Sequence, residues 1–411
     1  MCESSLHVSR SDRIVHVARI GAPTKMSPSP PRERVRLLVI AREWSRLGCI
    51  GFGGPPTHIA LLRKLCVDKN EWMDASEFED AIATTNLLPG PASTQLAIYC
   101  AWRLRGRVGA ILGGVCFIIP GLVIILALSS VYLAHHPPTW ILGATAGAGA
   151  AVSAVALSAA WRLVPASWTR RAPGRGATAR WTIYAVIGGA TSAGVGEYLV
   201  LALIGCGVVE ILLRRRPRQS PALVVAGASA HLAVVGGLGA LTWVALKVGA
   251  LSYGGGFVII PLMQHDVVTT YHWMNATQFL GAVALGQLTP GPVVQTVAVV
   301  GCAAAGIGGG LLAAAVAFTP SFFFVLVGAP RFDRVRTNNT VRSFFAGAGP
   351  AVIGAIAGSA IPLGLALQFT WQIPILAGAL TWLFVARRGV VSAFVLAGLT
   401  GTALALAGVH V

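Results

Sequence analysis

Residues 51–56 read Gly51-Phe52-Gly53-Gly54-Pro55-Pro56, and residues 89–91 read Pro89-Gly90-Pro91. Both interrupt apolar runs, and clustered Gly and Pro cannot continue a regular helix. Each interruption recurs downstream, as Tyr253-Gly254-Gly255-Gly256-Phe257 and as Pro290-Gly291-Pro292. At a constant offset of 201, Arg46 falls on Lys247, Gly53 on Gly254, Gly54 on Gly255, Phe78 on Phe279 and one PGP on the other. No gap is needed across this span, so the chain carries an internal duplication.

Composition says what surrounds the two copies. Of 411 residues, 55% are hydrophobic and 11% are charged, with a mean hydropathy of +0.72. A soluble domain carries about 25% charged residues. Apolar segments of membrane-spanning length recur from residue 108 onward, which predicts a polytopic protein of the lipid bilayer. The net charge of +17 does not indicate nucleic acid, because most Arg sits in short loops between apolar segments. The seven cysteines show no CxxC and no paired spacing, so neither a metal site nor a cofactor is expected.

Residues 1–33, rich in Ser, Pro and Arg, read as a disordered tail. A first repeat is expected over 34–214, a linker with a connecting transmembrane helix over 215–245, and a second repeat over 246–411. In the first repeat, residues 34–50 form a helix by apolar spacing, break at Gly51–Pro56 and restart near Thr57. Residues 68–80 hold six of the fourteen carboxylates and form a solvated connector. A second segment is broken at Pro89–Pro91 and closed by Arg103, Arg105 and Arg107. Spans follow over 108–133, 139–161, 181–195 and 198–213, with an Arg-rich loop at 162–180. The second repeat has broken segments at 246–263 and 276–300, then spans near 303–328, 343–362, 370–386 and 389–409. Gly147-Ala148-Gly149 matches Gly347-Ala348-Gly349 at an offset of 200, so the duplication extends past the breaks.

Charge then sets orientation. The loop at 103–107 has three Arg and its counterpart near 303–309 has none; 134–140 has none and 331–342 has four. Loops basic in one copy and neutral in the other place the copies in opposite orientations under the positive-inside rule. The expected fold is therefore an all-α polytopic membrane protein of two inverted-topology repeats with discontinuous or re-entrant helices, the N-terminus being cytoplasmic. Secondary transporters use this plan, with the site where the helices break.

An oxyanion needs N–H donors and positive potential. Glycines at the breaks let backbone approach a ligand, and helix N-termini attract anions. Gly53, Gly54, Gly254 and Gly255 are candidates on that ground, as are Pro89, Gly90, Pro91, Pro290, Gly291 and Pro292; the alternative is that these glycines serve helix packing. Arg46 and Lys247 stand at equivalent positions. Lys247 lies within an apolar run, where a cation is costly, whereas Arg46 fits equally a side chain snorkelling from an amphipathic helix. Asn86 and Gln287 precede the PGP breaks, and Thr94, Gln95 and Gln295 follow them. These are candidate donors, with interhelical hydrogen bonding the alternative role. His58 lies just past the first break and reads more readily as a polar contact than as a ligand. Carboxylates suited to proton coupling are scarce, and no GxxxxGK[ST] is present.

Four motifs carry a family resemblance. SRLGCIGFGGPPTHIA and NLLPGPASTQLAIY in the first copy, with KVGALSYGGGFV and GQLTPGPV in the second, resemble those of the chromate ion transporter family in its long-chain, two-domain form. The likeness covers about 34–411, with mild departures at Asn86 and Gly256. It implies efflux of chromate from the cytoplasm across a bacterial plasma membrane, with sulfate as the chemically similar competitor and a homodimer as one open assembly. The rival cargo is sulfate or another inorganic anion. A rival of another class, an integral-membrane enzyme acting on a phosphate-bearing lipid, lacks any acid/base or metal constellation in the sequence.

Overall fold

The computed structural model describes residues 35–86, 88–169, 171, 176–195, 198–214, 237–252, 257–331 and 337–410. The expected tail, Arg215–Arg218, most of the predicted span at 222–244, and Gly254 and Gly255 lie outside the described residues.

The first half runs α1 (Leu37–Ile50), α2 (Pro55–Arg63), α3 (Ala75–Thr85), α4 (Ala92–Tyr132), α5 (Thr139–Thr169), α6 (Ala177–Ala190) and α7 (Leu199–Arg214). The second runs α8 (Leu238–Leu251), α9 (Ile259–Gln264), α10 (Ala276–Leu288), α11 (Thr296–Gly328), α12 (Asn339–Leu365), α13 (Gln372–Leu380) and α14 (Val390–Leu406). The offset of 201 carries α1 onto α8 residue for residue. It also carries a π-turn at Lys64–Lys69 onto one at His265–Thr270.

After the PGP breaks the offset becomes 200, and the structure shows where the missing residue went. In the first copy α4 opens with Gln95 N–H bonded to the Pro91 carbonyl at 3.0 Å, an α-helical span. In the second, Gln295 N–H bonds to Pro292 O at 2.9 Å within a 3₁₀ turn, Val293–Gln295. The tighter turn absorbs one residue and keeps Gln95 and Gln295 in register.

Element α4 is not one straight rod. Arg105 and Gly106 leave helical geometry, Gly106 at φ 60° and ψ −147°, a region nearly confined to glycine. The chain folds back there. A side-chain carbon at Gly113 would fall 2.4 Å from the Ala101 methyl, so the legs on either side of Gly106 lie against each other. Ala305-Gly306 repeats this turn in α11. The sequence expectation of a basic turn at 103–107 followed by a span from 108 matches this geometry.

Packing joins the halves by exchange. A side-chain carbon at Gly147 on α5 would lie 2.3 Å from Ala397 O on α14, and one at Gly347 on α12 would lie 2.2 Å from Cys206 O on α7. Helices α5 and α12 are thus each seated on the last helix of the other copy. Lipid tails are as apolar as Leu, so helix association in a bilayer relies on such close backbone approach over small residues. Outward, Val108, Ile111, Val115, Ile119 and Val123 are exposed at helical spacing along α4. Among the described residues four elements, Ala92–Tyr132, Thr139–Thr169, Val293–Gly328 and Asn339–Leu365, contain helix long and apolar enough to cross a membrane. The protein is an all-α polytopic membrane protein. One boundary differs from expectation: α5 continues through Pro165 to Thr169. Arg162 and Ser167 are therefore helical rather than in a loop.

Candidate functional site

The first break is built by Gly53 and Gly54, at φ 96° and 76°. Gly54 has ψ −157°, again a conformation that side chains rarely tolerate. Helix α2 then opens with Pro55 and Pro56 at its first two positions, and proline has no N–H to offer. The next two N–H groups, of Thr57 and His58, both bond to Gly54 O at 3.1 and 3.2 Å. The expected donors at the helix restart are therefore absent from α2 itself. Gly53 and Gly54 supply the amides that have no acceptor among the described residues.

His58 fixes this geometry. It is 1% exposed, with Nε2 2.9 Å from Gly51 O and Nδ1 3.2 Å from Ser93 Oγ. A carbonyl can only accept, so Nε2 carries the proton and Nδ1 accepts from the serine hydroxyl. The ring also meets Phe117 edge-on at 5.1 Å. His58 thereby ties the break to the start of α4 as a positioning residue. Gly51 O accepts a second bond, 3.0 Å from Gly291 N–H. The first repeat's break is thus hydrogen-bonded to the second repeat's PGP.

The converse docking also occurs. Gly90, in the first PGP, approaches Ser321 on α11 and Gly249 on α8, while Gly121 on α4 approaches Pro290 O and Gln295. Pro91 and Pro292 cap the helical turns that follow them. Gln95 Nε2 donates to Pro89 O, and Gln295 Nε2 donates to Ile118 O at 2.8 Å. Around these crossings, Thr94 Oγ1, Gln95 Oε1, Ser252 Oγ, Gln287 Nε2, Gln295 Oε1 and Ser321 Oγ are buried with no hydrogen-bond partner among the described residues. Each such atom costs roughly 1–3 kcal/mol, which marks these crossings as polar places in an apolar bundle.

The two equivalent cations differ in surroundings. Lys247 forms an ion pair with Asp266, their side chains 13% and 16% exposed. Arg46 is 63% exposed and stands 3.9 Å from Glu43. Elsewhere Glu210 gathers Arg180 at 3.2 Å, Arg214 at 2.6 Å and the Tyr184 hydroxyl at 3.1 Å.

Beside the first break lies a cavity of about 270 Å³, lined in part by Gly53, Pro55, Pro56, Asn86, Arg162 and Ser167. Arg162 has no ion-pair partner among the described residues. Sequence reasoning did not single it out, because a run of Arg after an apolar segment reads as a loop. Helical spacing continuing through Leu163 and Trp168 was the signal that α5 goes on.

Paired broken helices, cross-docked between duplicated halves and carrying buried polar groups at the crossings, define a membrane protein of the transporter class. The chromate transporter family model matches residues 38–232 and 239–405. A chromate transport protein of Cupriavidus metallidurans is 34% identical over 328 residues, covering 77% of this chain and 80% of that protein. A probable chromate transport protein of Synechococcus elongatus is 30% identical, covering 78% and 82%. A chromate transport protein of Pseudomonas aeruginosa is 28% identical, covering 87% and 89%. No solved structure matches the chain. The chain belongs to the chromate transporter family.

Proposed function

We propose that this protein is a secondary transporter, not an enzyme, that exports chromate across a bacterial plasma membrane, with sulfate as a competing cargo. The relatives named above as chromate transport proteins support the cargo. The observation that carries the mechanism is the docking of each repeat's break on the other repeat, with Gly291 N–H on Gly51 O at 3.0 Å. A shift of one half against the other exchanges those contacts, and with them access to the polar crossings. In this reading the two halves run in opposite senses with a cytoplasmic N-terminus, and Gly53 and Gly54 border the path of the anion. Asn86, Thr94 and Gln287 supply donors along it, Gln95 and Gln295 hold the backbone at the crossings through Pro89 O and Ile118 O, and Arg46 and Lys247 supply positive potential. An inside-negative potential contributes about 2.3 kcal/mol per charge per 100 mV, and roughly twice that for a dianion. Outward movement then needs neither ATP nor a proton relay; anion exchange serves equally.

Everted vesicles containing the protein should accumulate labelled chromate when the potential is imposed, and added sulfate should slow them. Vesicles that accumulate sulfate and not chromate would change the cargo. Vesicles indifferent to the potential but stimulated by trapped anion would select exchange. Tags near residues 137 and 337 should report opposite faces of the membrane; tags on one face would remove the inverted arrangement.

A further inference from the structure

The cavity beside the first break has features that the breaks alone do not explain. Its wall carries an exposed arginine, Arg162, and a carboxamide, Asn86, from the turn that ends α3. Gly53, with a backbone N–H that lacks an acceptor, lines the same space, and the equally unpaired amide of Gly54 is next in the chain. No carboxylate lines it, and Arg162 has no ion-pair partner among the described residues. Arg162 is exposed, so its guanidinium is free to meet an incoming anion.

We propose that this cavity is the loading site for a tetrahedral oxyanion dianion, with Arg162 as the residue that reads its charge. The guanidinium presents a planar fork of N–H donors that matches two oxygens of such an ion. Asn86 and the glycine amides bond the remaining oxygens, and Pro55 and Pro56 fill the wall without competing donors. The cavity has room for the ion with part of its water. Arg162 stands near the end of α5, beside the Arg-rich loop that the charge pattern places in the cytoplasm, where an exporter must collect cargo. The second repeat has no equivalent, since Pro362 stands at the position matching Arg162. The site rests on the transport reading for the identity of its ligand and for its side, but not for its chemistry.

The test is equilibrium dialysis of labelled chromate against the purified full chain in lipid nanodiscs, at mildly alkaline pH where chromate is the dianion. Sulfate, a tetrahedral dianion, and perchlorate, a tetrahedral monoanion, serve as competitors. Wild type should bind chromate, yield it to sulfate and resist perchlorate. Arg162→Gln should weaken binding by roughly ten- to a hundredfold, the range of one charge-assisted hydrogen bond, and should narrow the preference for sulfate over perchlorate. Arg162→Lys should recover part of the loss, since charge returns without the fork. Asn86→Asp, a near-isosteric change that sets a like charge in the cavity, should weaken binding at least as much. Arg171→Gln, at an arginine that stacks on Trp168 and does not line the cavity, should stay within about twofold of wild type, roughly the small effect of a screened charge outside the site.

Unchanged affinity in a monodisperse Arg162→Gln overturns the assignment, and the transport proposal survives it if wild type still binds chromate. If Arg162→Gln is not monodisperse, Asn86→Asp decides in the same way. Binding of sulfate but not chromate, lost in Arg162→Gln, supports the site and overturns the chromate cargo. A folded wild type that binds neither anion overturns both.

Discussion

The two breaks share glycines at matching positions and differ in the chemistry beside them. His58, which ties the first break to Ser93, has Ile259 as its counterpart, fully buried among apolar neighbours. Arg46 reaches outward, while Lys247 is held by Asp266. Arg162 borders a cavity at the first break, and Pro362 occupies the matching place in the second half. Duplication has preserved the device that interrupts a helix, which depends on Gly and Pro alone. The side chains around it have been free to diverge. The first break carries the hydrogen-bonding equipment, whereas the elements flanking the second carry an ion pair and apolar side chains.

That comparison can be broken most directly at the backbone. Gly54→Leu should abolish chromate accumulation in vesicles while the protein still reaches the membrane. It forces a side chain into a conformation costing about 1–3 kcal/mol and crowds the amides beside the cavity. Normal transport in a well-expressed Gly54→Leu would return this glycine to a packing role.

The ion pair sharpens the contrast between the cations. Lys247→Gln leaves Asp266 uncompensated in a largely buried position and should destabilise by about 3–5 kcal/mol, read as a lowered thermal midpoint in detergent. Arg46→Gln breaks a long, exposed pairing and should cost less than about 1 kcal/mol. Lys247→Gln combined with Asp266→Asn should recover most of the stability. If Lys247 also supplies positive potential to the path, as proposed, the double variant will be stable yet impaired in transport. Equal destabilisation by Lys247→Gln and Arg46→Gln would erase the asymmetry.

The smallest expected effect compares His58 with its counterpart. His58→Ala removes two hydrogen bonds and strands Ser93, at about 1–3 kcal/mol, and should slow transport by loosening Gly51 against Gly291. Ile259→Val should cost about 0.5–1.5 kcal/mol and leave transport near wild type. Comparable transport defects from both would mean that His58 acts through packing alone.

Much of this was legible from residues 46–102 and 247–303. Glycine and proline act on their own φ and ψ, so a GFGGPP or a PGP announces a break wherever the chain goes next. Apolar length announces a membrane span for the same reason: hydration is lost residue by residue. Even the fold-back at Gly106 was legible, as three arginines closing one apolar run before the next. The cavity was not, because Arg162 follows an apolar segment as a loop arginine would, and periodicity tells which residues share a helix face but not what that face meets.

The sequence by itself determined the membrane class, the duplication and the positions of the four breaks, since each follows from local composition and from comparing the chain with itself. Tertiary structure decided which pieces meet: Gly51 with Gly291, Lys247 with Asp266, α5 with α14, and Arg162 with the first break. Those contacts join residues far apart in the chain, and their energies depend on distance, burial and direction, which exist only once the helices have packed.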